Sequence, residues 1–201
     1  MSRMAIYREL RRALKDPARA GDIPVYKSEL SRTRARPEIE ALLDDVRDYR
    51  PRLDLDALAT LPEGTFGRAY VRFIRDNGLH PLVISDQVDP ALVARNAFVV
   101  RYGIIHDMVH VLTGFDASWP GEIGVWAFVA AQGYSRVFTL SAILALLIAP
   151  LRAPTRLGAS WRSFRRGWAM GREARRVLPL RLEERLGDDL AATRAELGIV
   201  V

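Results

Sequence analysis

Residues 89–114, DPALVARNAFVVRYGIIHDMVHVLTG, constrain the fold more than any other segment. The apolar residues recur at helical pitch on most sides, not on one stripe, and a helix apolar nearly all round belongs at the centre of a fold. Asp89-Pro90 suits a helix start and Gly114 a stop. Other helices must then cover it, and the chain offers them. Residues 2–15 have the pattern of a short helix. Residues 37–49 place Ile39, Leu42, Leu43 and Val46 on one helical face, and 53–62 form another short helix stopped by Pro62. Thr65 is a candidate cap for a helix carrying Phe66, Ala69, Tyr70 and Phe73, ending at Asn77-Gly78. A helix is expected from near Pro120 toward Gly133, and more helix between 155 and 197. Residues 17–36, rich in Pro, Gly and polar residues, are expected to be an irregular connection. Strand-like alternation is weak everywhere, so the expected class is all-α.

The 201 residues suit one domain spanning 1–201, with 49% hydrophobic and 27% charged residues. Cysteine is absent, which excludes disulfides, thiolate metal sites and cysteine nucleophiles. Any metal must be held by His, Asp or Glu. The N-terminus shows no secretion signal, and Glu9 and Asp16 argue against a transit peptide. Residues 137–149, VFTLSAILALLIA, are too short for a bilayer span of ~20 residues, so a buried helix is expected there.

Within the central segment the chain spends two of its three histidines, His106 and His110, with Asp107 beside the first. On a helix, taking His106 as zero, His110 lies at about 40° and Asp107 at about 100°. One face thus offers two imidazoles and a carboxylate. Gly114 lets the chain reverse, and Pro120 puts Glu122 in the first turn of the next helix, which brings it back toward the histidines. A cluster of two nitrogens and two carboxylates in an apolar setting suits a divalent metal such as zinc, with iron, cobalt or manganese also served. The competing reading is a core hydrogen-bond network with no metal. The zincin pattern is excluded by Asp in place of Glu after the first histidine. His-Asp phosphohydrolases need further histidines, and His80 reads as an exposed loop residue. Arg101 and Tyr102, one turn before His106, are candidates for orienting a bound ring.

His106, Asp107, His110 and Glu122 fit H-D-x-x-H, eleven residues, then E, which resembles the signature of the coenzyme Q (ubiquinone) biosynthesis protein 4 family. LPEGTFGRAYVRFIRDNGL (61–79), GWAMGREARRVL (167–178) and LAATRAELGI (190–199) resemble further blocks of that family, while residues 1–50 match less distinctly. The resemblance implies an all-helical protein acting on a polyprenylated 4-hydroxybenzoate-type intermediate. The implied reaction is metal-dependent removal of the ring C1 carboxyl, with hydroxyl replacing it in an oxidative version. It further implies a site, usually assigned zinc, on His106, Asp107, His110 and Glu122; the residues themselves are compatible with Asp107 or Glu122 yielding its place to substrate or acting as proton donor. The implied partners are other ubiquinone-biosynthesis enzymes and the membrane surface, placing a bacterial relative in the cytoplasm, peripheral on the inner face of the cell membrane, with homodimerisation left open. A non-catalytic scaffold that binds prenyl lipid and organises such enzymes is the alternative.

The formal charge is +6, carried almost wholly by arginine. SWRSFRRGW (160–168) sets Trp161, Phe164 and Trp168 among Arg162, Arg165 and Arg166. It reads as an ordinary packed amphipathic helix or as an interfacial helix on anionic lipid. Nucleic acid is not expected as a partner, because no binding motif accompanies the charge.

Overall fold

The computed structural model describes residues 1–201 and contains helices with no strand. In chain order these are α1 (Arg3–Ala13), α2 (Asp22–Ser31), α3 (Pro37–Glu40), α4 (Leu55–Ala59), α5 (Phe66–Asp76), α6 (Pro90–Arg95), α7 (Ala97–Thr113), α8 (Trp119–Ala131), α9 (Arg136–Leu147), α10 (Ala149–Arg152), α11 (Leu157–Glu173) and α12 (Leu190–Leu197). Short 3-10 turns follow α1, α3, α10 and α11. The all-α expectation holds, and α7 lies at the centre as its apolar circumference required. Phe98, Tyr102, Ile105, Met108, Val109 and Leu112 of α7 all belong to the main core, with residues of α5, α8 and the C-terminal quarter around them.

The long helix expected over 89–114 is broken at Asn96, whose backbone leaves the helical region. Its side chain explains the break. The amide donates to Leu92 O and to Glu29, while its oxygen lies 2.6 Å from Ser28 Oγ and 2.7 Å from the Arg34 guanidinium. A side chain so fully engaged by another part of the fold outweighs local propensity. Three of those partners lie within 17–36, where the expectation of an irregular connection fails. α2 forms there with Val25 and Tyr26 buried. Pro24 does not prevent it, because it stands in the first turn, where the missing N–H has no intrahelical partner to lose. Buried Asp22 accepts bonds from the Arg19 guanidinium and from the Ser85 N–H and hydroxyl, fastening α2 to the loop before α6. With α1 and α6, α2 builds a second, smaller core.

Helix ends follow their local chemistry. Thr65 caps α5 by accepting from Arg68 N, Ser118 caps α8 by accepting from Gly121 N, and Gly114 ends α7 at φ 67°. The last three carbonyls of α7, which have no partner inside the helix, are each met by an arginine from the C-terminal quarter. Arg194 donates to Val111 O and Leu112 O, and Arg166 donates to Thr113 O.

The helix that holds Glu122 is pinned by backbone contact. A Cβ placed at Gly167 would lie 2.1 Å from Gly124 O, and one at Gly171 would lie 2.2 Å from Phe128 O. α11 therefore lies directly on α8 through two glycines one turn apart, an approach no larger residue permits.

Two expectations are corrected. α9 is not a buried helix: only Ala142 and Ala145 of it are buried, and Leu140, Leu144 and Leu147 face outward. Arg101 is not free to orient a ligand. It is 1% exposed, pairs with both carboxylate oxygens of Glu183, and donates to the carbonyls of Leu178 and Leu180. Its role is to tie α7 to the C-terminal segment.

Candidate metal centre

His106 and His110 stand one turn apart on α7, and Glu122 sits in the first turn of α8, facing them across the tight link at Gly114. His106 Nε2 lies 3.3 Å from one oxygen of Glu122, and His110 Nε2 lies 3.3 Å from the other. One donor atom from each residue falls within 4.8 Å of the other two. Donors about 2.0–2.1 Å from a tetrahedral cation are separated by about 3.3 Å, so the two nitrogen–oxygen gaps have the span of a coordination shell.

Buried His110 tests whether these residues fit a cation. Its Nδ1 lies 3.1 Å from Phe115 O, an acceptor, so Nδ1 carries the hydrogen and Nε2 is left as a bare lone pair. That Nε2 is buried and has no hydrogen-bond partner, because its approach to Glu122 lacks the required alignment. A lone pair facing a carboxylate in a dry setting is repulsive until something positive stands between them. A divalent cation supplies that charge.

Asp107 lies on the other side of the His106 ring, 3.1 Å from Nδ1. The structure thus brings three of the four sequence-derived residues together at one point and sets the fourth against the remote nitrogen of one of them. A carboxylate there fixes ring orientation and makes Nε2 more basic. Phe73 stacks on His110 at 5.1 Å between centroids, and Tyr102 meets His106 edge-on at 5.3 Å. Burial holds the Tyr102 phenol well above its usual range, and its hydroxyl is buried with no hydrogen-bond partner. Phe73 and the Phe115 carbonyl were not legible as site residues. Phe115 contributes a backbone atom, which no side-chain pattern announces.

The charges respond to one another. Burial by itself lowers His106, but bonds to Asp107 and Glu122 outweigh it and lift the imidazole to about 9. Burial by itself raises Glu122, and the bond and charge of His106, to which His110 adds only with its ring protonated, overcome this and bring the carboxyl down to about 2. Without a cation the site therefore keeps a proton on His106 at neutral pH, and a cation entering must expel it.

A cleft of about 710 Å³ lies away from this cluster. It lies between the α7–α8 link and the start of α11, where Phe115, Asp116 and Ser118 face Arg156, Arg162 and Arg166.

Comparison with known proteins adds the following. The family described as "Coenzyme Q (ubiquinone) biosynthesis protein Coq4" matches residues 34–201. The mitochondrial ubiquinone biosynthesis protein COQ4 homolog of Bos taurus is 35% identical over 93% of this chain and 74% of its own length. That of Homo sapiens is 37% identical over 73% of this chain and 55% of its own, so the chain spans little more than half of that relative. A crystal structure of a ubiquinone biosynthesis protein from Nostoc punctiforme superposes with a TM-score of 0.70, covering 99% of this chain and 97% of the other at 23% identity. That likeness is one of fold.

Proposed function

The chain belongs to the coenzyme Q (ubiquinone) biosynthesis protein Coq4 family, and from that premise we propose that it removes the C1 carboxyl of a polyprenylated 4-hydroxybenzoate-type intermediate in a metal-dependent reaction. The whole chain, 1–201, is proposed to act as one unit, as a carboxy-lyase at the membrane periphery beside other enzymes of the same pathway. No helix is long and apolar enough to cross a membrane.

The observation that carries the metal-dependent part is the bare Nε2 of His110 facing Glu122 beside His106. His106, His110 and Glu122 would hold the cation, and nitrogen and oxygen donors without thiolate suit zinc, iron, cobalt or manganese. A bound cation supplies a Lewis acid for the ring carboxylate and for charge that develops as the carbon–carbon bond breaks. The protein residues around it do the rest. Phe115 O and Asp107 lock the two imidazoles in orientation. Phe73 and Tyr102 wall the histidines and limit water. Loss of carbon dioxide leaves the ring carbon to take a proton; of the two carboxyls, Asp107, which lies outside the three-donor cluster, is the proposed donor, because Glu122 is held ionised. The oxidative version, in which hydroxyl replaces carboxyl, additionally consumes an external oxidant such as dioxygen.

The test supplies purified, metal-loaded protein with a prenylated 4-hydroxybenzoate carrying label in the carboxyl carbon. Release of labelled carbon dioxide, lost on His106→Ala, is the expected result. Tight binding of the lipid with no release, unchanged by His106→Ala, overturns catalysis in favour of a scaffold that presents prenylated intermediates.

A further inference from the structure

Five buried side-chain polar atoms have no hydrogen-bond partner in the fold, and three of them stand on α7 or α8 within one turn of a histidine or Glu122. These are His110 Nε2, Tyr102 Oη and Trp119 Nε1. Buried polar atoms are nearly always paired, so an orphan beside a reactive cluster asks for a ligand. His110 Nε2 is answered by a cation. Tyr102 Oη belongs to a residue one turn before His106, and the cation leaves it unanswered.

The neighbours of this phenol do not take its hydrogen. Its ring packs edge-on against His106 and against Phe138, at 5.3 and 5.0 Å between centroids. Trp126 of α8 approaches the hydroxyl with an indole N–H, which can serve the phenol oxygen but not its hydrogen. Arg101, beside Tyr102 in the chain, is engaged by Glu183. The hydroxyl therefore keeps a free donor at a level of the site walled by aromatic rings. Trp119 meets Trp126 edge-on at 5.6 Å and carries that wall along α8. Trp126 and Phe138 are only half-buried, so a flat ligand reaches this level by turning a side chain aside rather than by opening the core.

Helical geometry sets what fits there. Tyr102, His106 and His110 follow at four-residue steps on α7, and Trp126 follows Glu122 at the same step on α8. The aromatic level thus lies one turn, about 5.4 Å, beyond the level of His106 and Glu122. That is close to the span from the carboxyl carbon of a 4-hydroxybenzoate to its para oxygen. We propose that Tyr102 determines specificity at this site: its hydroxyl donates to the substrate's ring oxygen para to the carboxyl, with the ring held against Trp126 and Phe138. A ring with hydrogen at that position leaves the phenol buried and unpaired, and is rejected for that reason. This deepens the reading of a 4-hydroxybenzoate-type substrate and rests on it.

Zinc-loaded full-length protein is titrated by calorimetry with 3-farnesyl-4-hydroxybenzoate, with the same molecule lacking the 4-hydroxyl, and with its 4-amino analogue. Wild type should bind the hydroxylated ligand about tenfold more tightly than the deoxy ligand. The amino analogue, a donor of similar size but a poor acceptor, should bind as weakly as the deoxy ligand. Tyr102→Phe should bring the hydroxylated and deoxy affinities within about twofold of each other by weakening the first and leaving the second unchanged. Its zinc content should stay at the wild-type level. Equal binding of all three ligands by wild type overturns the proposal, as does a preference that survives in Tyr102→Phe or an amino analogue that binds like the hydroxylated ligand. The three-ligand comparison on unmodified protein decides the matter even if Tyr102→Phe folds poorly. The titration needs no turnover. A hydroxyl preference lost in Tyr102→Phe, without release of carbon dioxide by wild type, therefore overturns the decarboxylase reading and supports the Tyr102 bond.

Discussion

His110 makes two different uses of one ring. Its Nδ1–H goes to a backbone carbonyl, which leaves Nε2 to a cation or to nothing. Replacing it with alanine should therefore remove zinc from the purified protein, read by elemental analysis, and His106→Ala should do the same. Asp107→Asn should keep the stoichiometry but weaken zinc affinity by about 10–100-fold, measured against a chromophoric chelator, if the carboxylate acts through the His106 ring. Asp107 as a direct ligand would instead lower the stoichiometry. The pH dependence has a definite sign. In the cation-free protein His106 is raised from 6.5 to about 9, so the stability it contributes is complete below its unfolded value and lost as pH rises through about 9. Glu122 is depressed to about 2, so its contribution is present above its unfolded value of 4.5 and lost as pH falls through about 2. A cation competes with the His106 proton. Zinc should therefore raise the melting temperature more at pH of about 8 than at pH of about 6. The donors themselves were legible, because side-chain identity and a four-residue spacing are sequence properties. The tautomer of His110 was not, because the Phe115 carbonyl fixes it through space.

At the scale of elements, α8 is placed by α7 on one side and α11 on the other, and each contact has a chemical reason. Gly167→Ala forces a methyl group into the Gly124 carbonyl. It should destabilise the fold by at least about 1–3 kcal/mol in denaturant titration, and Glu122 should lose register with the histidines. Arg194→Met keeps the stem but removes donors from Val111 O and Leu112 O, leaving poorly solvated carbonyls at a cost of about 1–3 kcal/mol each. The caps at Thr65 and Ser118 and the stop at Gly114 were readable, since capping is decided within four residues. The break at Asn96 and the helix at Asp22–Ser31 were not, because Asn96 is bonded to residues some sixty positions away.

Across the whole molecule, the blocks 61–79, 167–178 and 190–199 are distant in sequence and joined in space. Phe66 N donates to Asp188 O, Leu190 N to Gly64 O, and Arg175 N to Leu197 O. Arg101 draws the same C-terminal quarter onto α7 through Glu183. Arg101→Met leaves Glu183 buried and unpaired and should cost about 3–5 kcal/mol in denaturant titration. Glu183→Gln with Arg101→Met should recover part of that loss. Metal removal acts globally as well, because a ligand bound only to the folded state stabilises all of it. Chelation should lower the melting temperature, and zinc at about a thousandfold excess over its dissociation constant should restore about 4 kcal/mol.

The amino-acid sequence by itself determined the helical class, the central place of the segment 89–114, the caps at Thr65 and Ser118, and the candidate donors at 106, 107, 110 and 122, since these depend on periodicity, capping and residue type. Tertiary structure alone decided which donors share a point, that Arg101 serves the C-terminal quarter, and that α9 faces outward. Periodicity tells which residues lie on one side of a helix, but the direction of that side is set by what packs against the other. On α9 the packing partner accepts alanines, and Leu140, Leu144 and Leu147 are left facing out.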